Sequence, residues 1–316
     1  MEYNILGNTG IKVSRLCFGS LTIGPLQGRL QIEEGANVVC KALELGVNFI
    51  DTAEYYNTYS YINRAIQKTK IKDIVIASKS YAYSYKGMEK SIKNALKQLG
   101  VNQIDIFLLH EQESLLTFRG HGDAYKCLED AKKKGIIKAI GVSTHCVEMV
   151  RRAVHIPEIE IIHPLINFKG LGIKDGTAED MLVEIKKAYK NGKGIYGMKP
   201  LGGGNLIKSY DKAIDFVLEI PYISSVAIGM KTEEEVQLNV MKFNKEEIPD
   251  SLRSIINNQT KKLLIEEWCV GCGKCAKKCP QKAIKIINGR AVVNKESCIL
   301  CGYCSGYCPE FCIKIV

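Results

Sequence analysis

Short β-branched runs alternate with stretches of helical apolar spacing along most of the chain. The strand-like runs fall at 13–18, 47–51, 74–78, 104–110, 137–142, 159–162, 194–198 and 225–228. Helical spacing, with apolar residues three and four apart, falls between them at 33–45, 88–99, 123–134, 178–190, 212–218 and 233–241. Turn signals such as Leu99-Gly100 and Lys134-Gly135 separate the two patterns. Eight strands alternating with helices over about 250 residues predict a closed (β/α)8 TIM barrel. A doubly wound open sheet is the rival, but no Gly-x-Gly-x-x-Gly follows an early strand, so the usual dinucleotide fingerprint is missing. Residues 6–10, Leu-Gly-Asn-Thr-Gly, predict a hairpin turn that plugs the barrel bottom. A further helix is expected over 252–265.

Composition narrows the class. The chain has 316 residues, 46% hydrophobic and 25% charged, which suits a globular protein and excludes disordered or collagen-like chains. No apolar run approaches the ~20 residues needed to cross a bilayer, so no membrane association is expected. Met1-Glu2-Tyr3-Asn4 has neither a basic head nor an apolar stretch, so no export signal is expected and the location is read as cytoplasmic. The net charge of +10 reads as dispersed, solvated lysines. Lys132-Lys133-Lys134 before Gly135, for example, places positive charge at a helix C-terminus, where the dipole favours it. No basic stripe carries interleaved aromatics, so nucleic acid is not an expected partner.

Cysteine usage divides the chain. Four of the thirteen cysteines lie in 1–266 and nine in 267–316. Without an export signal, metal binding is favoured over a disulfide framework. The boundary is placed near Glu266, giving a barrel over 1–266 and a small α+β ferredoxin-like iron–sulfur domain over 267–316. The tail reads Cys269-x-x-Cys272-x-x-Cys275-x-x-x-Cys279-Pro280 and repeats as Cys298-x-x-Cys301-x-x-Cys304-x-x-x-Cys308-Pro309. This spacing is similar to that of bacterial-type ferredoxins with two [4Fe–4S] clusters, in which the fourth cysteine of each run ligates the other cluster. One cluster is then expected on Cys269, Cys272, Cys275 and Cys308, and the other on Cys298, Cys301, Cys304 and Cys279. Zinc is the weaker alternative, since its tetrahedral sites use two separated Cys pairs. Asn288-Gly289 predicts a hairpin between the halves. Cys312 is surplus and reads as a small buried hydrophobe. From Glu267 onward, eight basic residues face three acidic ones, a balance that suits buried anionic clusters.

Barrel chemistry gathers where strands end at their C-termini. Asp51 ends the second run, Lys79 follows the third and His110 ends the fourth, with Tyr56 just beyond Asp51. Reducing a carbonyl by hydride creates an alkoxide that needs a proton and a positive field. A tyrosine can give the proton, although its reference pKa is about 10. Lys79 is expected to lower that value, Asp51 to hold Lys79, and His110 to stabilise the developing charge.

Over about residues 1–245 the chain resembles the aldo/keto reductase superfamily. The resemblance rests on Asn48-Phe49-Ile50-Asp51-Thr52-Ala53-x-x-Tyr56, Ala77-Ser78-Lys79, Asp105-x-Phe107-Leu108-Leu109-His110 and Gly141-Val142-Ser143. It extends to 198–204, Met-Lys-Pro-Leu-Gly-Gly-Gly, and to Ile228-Gly229-Met230-Lys231-Thr232 with Asn239 downstream. It implies a catalytic tetrad of Asp51, Tyr56, Lys79 and His110, and an NADP (or NAD) cofactor across the barrel mouth. Implied nucleotide contacts are Ser143, Thr144, Asn167, Pro200, Leu201, Gly202, Gly204, Gly229, Lys231, Thr232, Glu235 and Asn239. His163 stands where the family often has Gln. Lys231 favours the 2′-phosphate of NADP, whereas Glu235 places a carboxylate where many NADP-using relatives have Arg. The glycine turn at 201–204 is expected to let a pyrophosphate approach the backbone.

The function expected is an iron–sulfur oxidoreductase of the aldo/keto reductase type. It would transfer hydride between NAD(P)H and a small carbonyl or alcohol, with the clusters relaying electrons to or from a redox protein partner. The alternative is a ferredoxin-type electron-transfer protein whose barrel is a docking or substrate-binding scaffold. Tyrosines alternating through 80–86 are expected at the substrate entrance.

Overall fold

The structure is a computed structural model that describes residues 1–258 and 260–316. Strands β1 (Tyr3–Ile5) and β2 (Lys12–Ser14) pair as an antiparallel hairpin. Eight parallel strands follow. They are β3 (Leu16–Gly19), β4 (Phe49–Asp51), β5 (Val75–Ser80), β6 (Ile104–Leu109), β7 (Ile137–Thr144), β8 (Ile161–Pro164), β9 (Gly194–Met198) and β10 (Ser225–Gly229). They pair in chain order, and β10 closes on β3 with Val226 opposite Leu16, so the sheet is a closed barrel. The run expected at 13–18 is split at Arg15, which lies between β2 and β3 and whose guanidinium donates to the carbonyls of Val217, Leu218 and Ile220. The hairpin plugs the bottom as expected, with the Asn8 amide bonded to the Gly192 carbonyl.

Two packed layers hold the barrel. Phe49, Ala77, Ile106, Leu108, Ala139, Ile161, Tyr196 and Ala227 fill its interior. The alternate residues Ile50, Ile76, Phe107, Leu109, Ile140 and Ile162 face outward against the helices. This period of two decides where the chemistry goes. Asp51 lies two residues after inward Phe49, Lys79 two after Ala77, and His110 two after Leu108. All three therefore belong to the inward-facing set at the upper rim.

The helical expectations hold at Ile32–Glu44, Tyr85–Leu99, Gly122–Lys133, Ala178–Lys190, Tyr210–Leu218 and Glu233–Phe243. Three shorter helices, Tyr59–Lys68, Leu115–Gly120 and Val147–Ala153, were not expected. The helix expected over 252–265 covers only Asp250–Asn257. Beyond it Leu263–Ile265 is a strand, β11, which pairs antiparallel with the last strand β14 (Ile313–Ile315). Long-range pairing overrides local helical spacing there. Between these lie β12 (Ile284–Ile287) and β13 (Arg290–Val293), the hairpin turning at Asn288-Gly289. Each half of the tail thus repeats a cysteine loop, a short helix and a strand. Leu263, Cys275, Ile284, Ala291, Cys304, Cys312, Ile313 and Ile315 form its core. Among the described residues no helix is long and apolar enough to cross a membrane.

Candidate active site and cluster-binding domain

At the barrel mouth Lys79 Nζ lies 2.6 and 2.8 Å from the two carboxylate oxygens of Asp51 and donates to the Thr52 carbonyl at 2.8 Å. Both side chains are buried. The Tyr196 hydroxyl donates to Asp51 at 3.0 Å, and His163 stacks on the Tyr196 ring at 3.8 Å. Tyr56 sits above this pair, its ring centroid 5.1 Å from the Lys79 nitrogen. Its ring meets His110 edge-on at 5.6 Å. Sequence reasoning missed Tyr196. Its signal was present, since a tyrosine in an otherwise apolar strand needs a buried partner for its hydroxyl.

One electrostatic expectation is corrected. Burial pushes the Tyr56 pKa well above the ordinary tyrosine value, and Asp51, Glu111 and Tyr81 push it further. The Lys79 charge expected to lower it is offset by Asp51 at contact distance. The phenol therefore keeps its proton firmly. Burial also drives His110 well below the usual histidine range, with Lys79 adding to the effect, so the ring is neutral. Its Nδ1 is buried without a hydrogen-bond partner among the described residues. Burial lowers His163 to about 4, so that ring too is neutral, and its Nδ1 lies 2.6 Å from the Tyr196 carbonyl.

These residues open into one cavity of about 930 Å³ that runs from Asp51, Tyr56 and His110 to Lys231, Thr232 and Glu235. Such a volume is at the upper end of ordinary ligand sites. Of the implied nucleotide contacts, Pro200, Leu201, Gly204, Gly229, Lys231, Thr232 and Glu235 line it. Ser143, Thr144, Gly202, Asn167 and Asn239 are not among its lining residues, and the polar side chains of this group are held within the protein. Ser143 Oγ accepts from the Glu111 amide and Thr144 Oγ1 from the Cys146 amide. Asn167 closes its own loop by accepting from the Lys169 and Leu171 amides. Asn239 accepts from the Tyr210 hydroxyl and donates to the Glu235 carbonyl. The Glu235 carboxylate accepts from the Lys231 amide at 2.8 Å, and burial raises its pKa.

The glycine turn serves a purpose that sequence did not reveal. The Ile315 amide donates to the Gly203 carbonyl at 3.0 Å, and Asn205 donates to the Ile313 carbonyl at 3.1 Å. A Cβ on Gly204 would lie 1.9 Å from the Ile315 carbonyl oxygen, and one on Gly203 would meet the Lys314 side chain at 2.6 Å. The close backbone approach at this turn is made by the chain's own last strand. The cysteine-rich tail thereby forms one wall of the cavity through Trp268, Glu310, Phe311, Lys314, Ile315 and Val316. Of the entrance tyrosines only Tyr81 reaches the site, stacked on His110 at 4.2 Å. Tyr83 is exposed, and Tyr85 bonds Asp130.

In the tail, Cys269, Cys272, Cys275 and Cys308 surround one small void. Backbone amides point at the sulfurs: Ala291 at Cys269, Ala283 at Cys279 and Cys312 at Cys308. Amide donors of this kind suit thiolates that carry cluster charge. All thirteen cysteines are free. Cys312 is buried as expected, with its sulfur 3.4 Å from that of Cys308.

Comparison with known proteins agrees with this geometry. Residues 15–219 match the aldo/keto reductase family and residues 261–309 a 4Fe-4S dicluster domain. L-galactose dehydrogenase of Arabidopsis thaliana is 24% identical over 281 residues, covering 76% of this chain and 87% of that protein. Methylglyoxal reductase DkgA of Escherichia coli is 26% identical over 176 residues, 53% of this chain and 63% of that protein. In fold, the holo form of aldo-keto reductase AKR11C1 from Bacillus halodurans superposes with a TM-score of 0.66 at 18% identity, covering 81% of this chain and 95% of its own. The chain is an oxidoreductase belonging to the aldo/keto reductase family, with a 4Fe-4S dicluster domain at its C-terminal end.

Proposed function

We propose that the protein reduces a small carbonyl compound, or oxidises the matching alcohol, with NAD(P)H, and that Tyr56 is the proton donor. One observation carries the reading: a neutral Tyr56 stands over the buried Asp51–Lys79 pair beside a neutral His110 whose Nδ1 has no hydrogen-bond partner among the described residues. The residues present fit the groups that the family implies. The cavity leaves a buried ring nitrogen of His110 unsatisfied, and amides in the tail aim at the cysteine sulfurs. When bound, the nicotinamide supplies hydride and the clusters supply single electrons.

The chain's own groups do the rest. The carbonyl oxygen is received between the Tyr56 hydroxyl and the His110 ring. Because Tyr56 holds its proton, it donates only as negative charge grows on that oxygen. The Lys79 ammonium, fixed by Asp51 and Thr52, then faces the phenolate left behind. The buried ion pair needs no reorganisation at that moment, which is how preorganised charge lowers a barrier. Pro200, Leu201, Gly204 and Gly229 would hold the nucleotide along the cavity. Lys231 and Lys261, which gather around Glu235 on the cavity wall, favour the extra phosphate of NADP over NAD.

The cluster ligands are proposed as Cys269, Cys272, Cys275 and Cys308 for one cluster and Cys298, Cys301, Cys304 and Cys279 for the other. Neighbours of the first set, Trp268, Glu310 and Phe311, line the cavity. Exposed apolar side chains flank both sets, Trp268 and Val270 beside the first and Ile299 and Tyr303 beside the second, and would offer a redox protein a surface to dock on. The test is NADPH oxidation by a panel of aldehydes and ketones under anaerobic conditions. Tyr56→Phe should abolish turnover while leaving NADPH binding unchanged. No nucleotide binding and no turnover in the native protein would leave the ferredoxin-type reading, with the barrel as scaffold.

A further inference from the structure

Three side chains that the mechanism does not use meet at the ring of Phe311, on the cavity wall between the barrel and the tail. Lys314 Nζ lies 3.3 Å from the ring centroid and Lys199 Nζ 5.3 Å from it. The His145 ring lies edge-on at 6.4 Å. Lys199 comes from the barrel, just after β9, and Lys314 from the tail strand β14. Both line the cavity, as do His145 and His110.

Neither ammonium has an anionic partner at contact distance. Lys314 is 4% exposed, and its nitrogen bonds only the Phe311 carbonyl among the described residues. Lys199 Nζ lies 2.9 Å from His145 Nε2. No carboxylate approaches either nitrogen within 4.0 Å among the described residues. Two carboxylates stand nearby, and both have other partners. Glu111 Oε1 lies 3.4 Å from His145 Nε2 and is also engaged by Tyr81. Glu266 is engaged by Gln27. Burial holds both lysines below the ordinary lysine range, with the charge of Lys199 adding to the effect on Lys314 and the charges of Lys79 and Lys174 to that on Lys199. Burial also leaves His145 neutral, so its Nε2 can accept from Lys199 and fix the ammonium in place.

The backbone adds an independent sign. Lys199, Phe311 and Glu111 all take left-handed φ, at 58°, 46° and 48°. Non-glycine residues adopt that region at a cost, and such positions concentrate at functional sites. Two buried amines on one ring, one from the barrel and one from the tail, gather positive charge on the cavity wall that His110 also lines.

We infer that the carbonyl substrate itself carries an anionic group, a carboxylate or a phosphate, which Lys199 and Lys314 hold while His145 positions Lys199. The tail thus completes the substrate site. The inference rests on the carbonyl-reductase reading but names its substrate class. A nucleotide phosphate is the competing source of the same chemistry. It is less favoured, because Lys231 and Lys261 gather around Glu235 in a separate group, whereas the charges acting on Lys314 include those of Lys199, Glu266 and Glu111.

The test uses the holoprotein with its iron content checked in every variant. The matched substrates are 4-carboxybenzaldehyde against benzaldehyde, and glyceraldehyde 3-phosphate against glyceraldehyde. One charged member should exceed its neutral partner at least tenfold in kcat/KM, mainly through KM, and the better pair tells carboxylate from phosphate. Lys199→Met and Lys314→Met should each erase that preference, and Lys199→Arg should restore part of it. Calorimetric titration with oxalate and with inorganic phosphate should show binding to the native protein that Lys199→Met loses. Equal kcat/KM for charged and neutral partners, or NADPH affinity falling in both variants with the preference intact, would overturn the inference. If no carbonyl compound turns over, the reductase reading fails, while the oxalate and phosphate titrations still decide whether the anion site exists.

Discussion

The amide of Ile315 donates to the carbonyl of Gly203 across the join between the barrel and the cysteine-rich tail. This bond and the neighbouring one from Asn205 to Ile313 seat the last strand on the turn after β9. The candidate active-site cavity is therefore lined from both the barrel and the tail, and the sole tryptophan, Trp268, lies on the tail's side of it.

Gly204→Ala tests that seating. The backbone there has φ +84°, and a methyl group would strike the Ile315 carbonyl. The substitution should cost more than about 1 kcal/mol through strain at a positive φ. It should also loosen the tail, seen as faster proteolysis between residues 258 and 262 and a red-shifted Trp268 emission. Unchanged cleavage and emission would show that the tail is held elsewhere.

The Asp51–Lys79 pair gives a second prediction. Both groups are buried, so removing one leaves an uncompensated charge. Asp51→Asn should lower stability by about 3–5 kcal/mol in denaturant titrations. The double variant Asp51→Asn with Lys79→Met should recover part of that loss, although neither protein should turn over substrate. An unstable double variant would mean that the pair contributes mainly through shape.

Tyr56 sets the pH profile. Its pKa lies above the ordinary tyrosine value because of burial, so the phenol, the proposed donor, stays protonated well past neutrality. Carbonyl reduction at saturating substrate should hold its rate as the pH rises to about 9, below the reference tyrosine value. Alcohol oxidation needs the phenolate and should accelerate over the same range. A reduction rate that falls between pH 7 and 8 would mean that Lys79 does acidify the phenol.

His163 links folding to pH. Its folded pKa is about 4, below the reference of about 6.5, so the unfolded chain binds the extra proton between those values. Its contribution is complete above pH 6.5 and declines as the pH falls toward 4. Native protein should be less stable at pH 5 than at pH 7, with roughly 2 kcal/mol of the difference coming from this residue. His163→Gln should remove that share of the slope. An identical slope in the variant would assign the acid sensitivity to His110 and His145.

The two cysteine sets should separate chemically. Cys301→Ser should lower iron and acid-labile sulfide to about half while leaving the barrel's melting transition in place. Cys308→Ser strikes the set beside the cavity, so it should also change Trp268 emission. Loss of all the iron in Cys301→Ser would show that the sets assemble only together.

The alternation of strand and helix patterns along the chain determined the barrel by itself, and the period of two within each strand put Asp51, Lys79 and His110 on the inward side of consecutive strands. The cysteine repeat likewise determined the second domain, because ligand spacing is a local property of the chain. Contacts between segments far apart in sequence carry no such period, and packing alone decided them. Sequence could not show that Leu263–Ile265 would leave its helical spacing to pair with Ile313–Ile315, that Gly203 and Gly204 would admit the chain's own last strand, or that Lys314 would arrive beside Lys199. It also assigned Tyr56 an acidity that only burial could correct. A pKa depends on the water excluded from a group and on charges brought near it, and both are settled only when the domains close around the cavity.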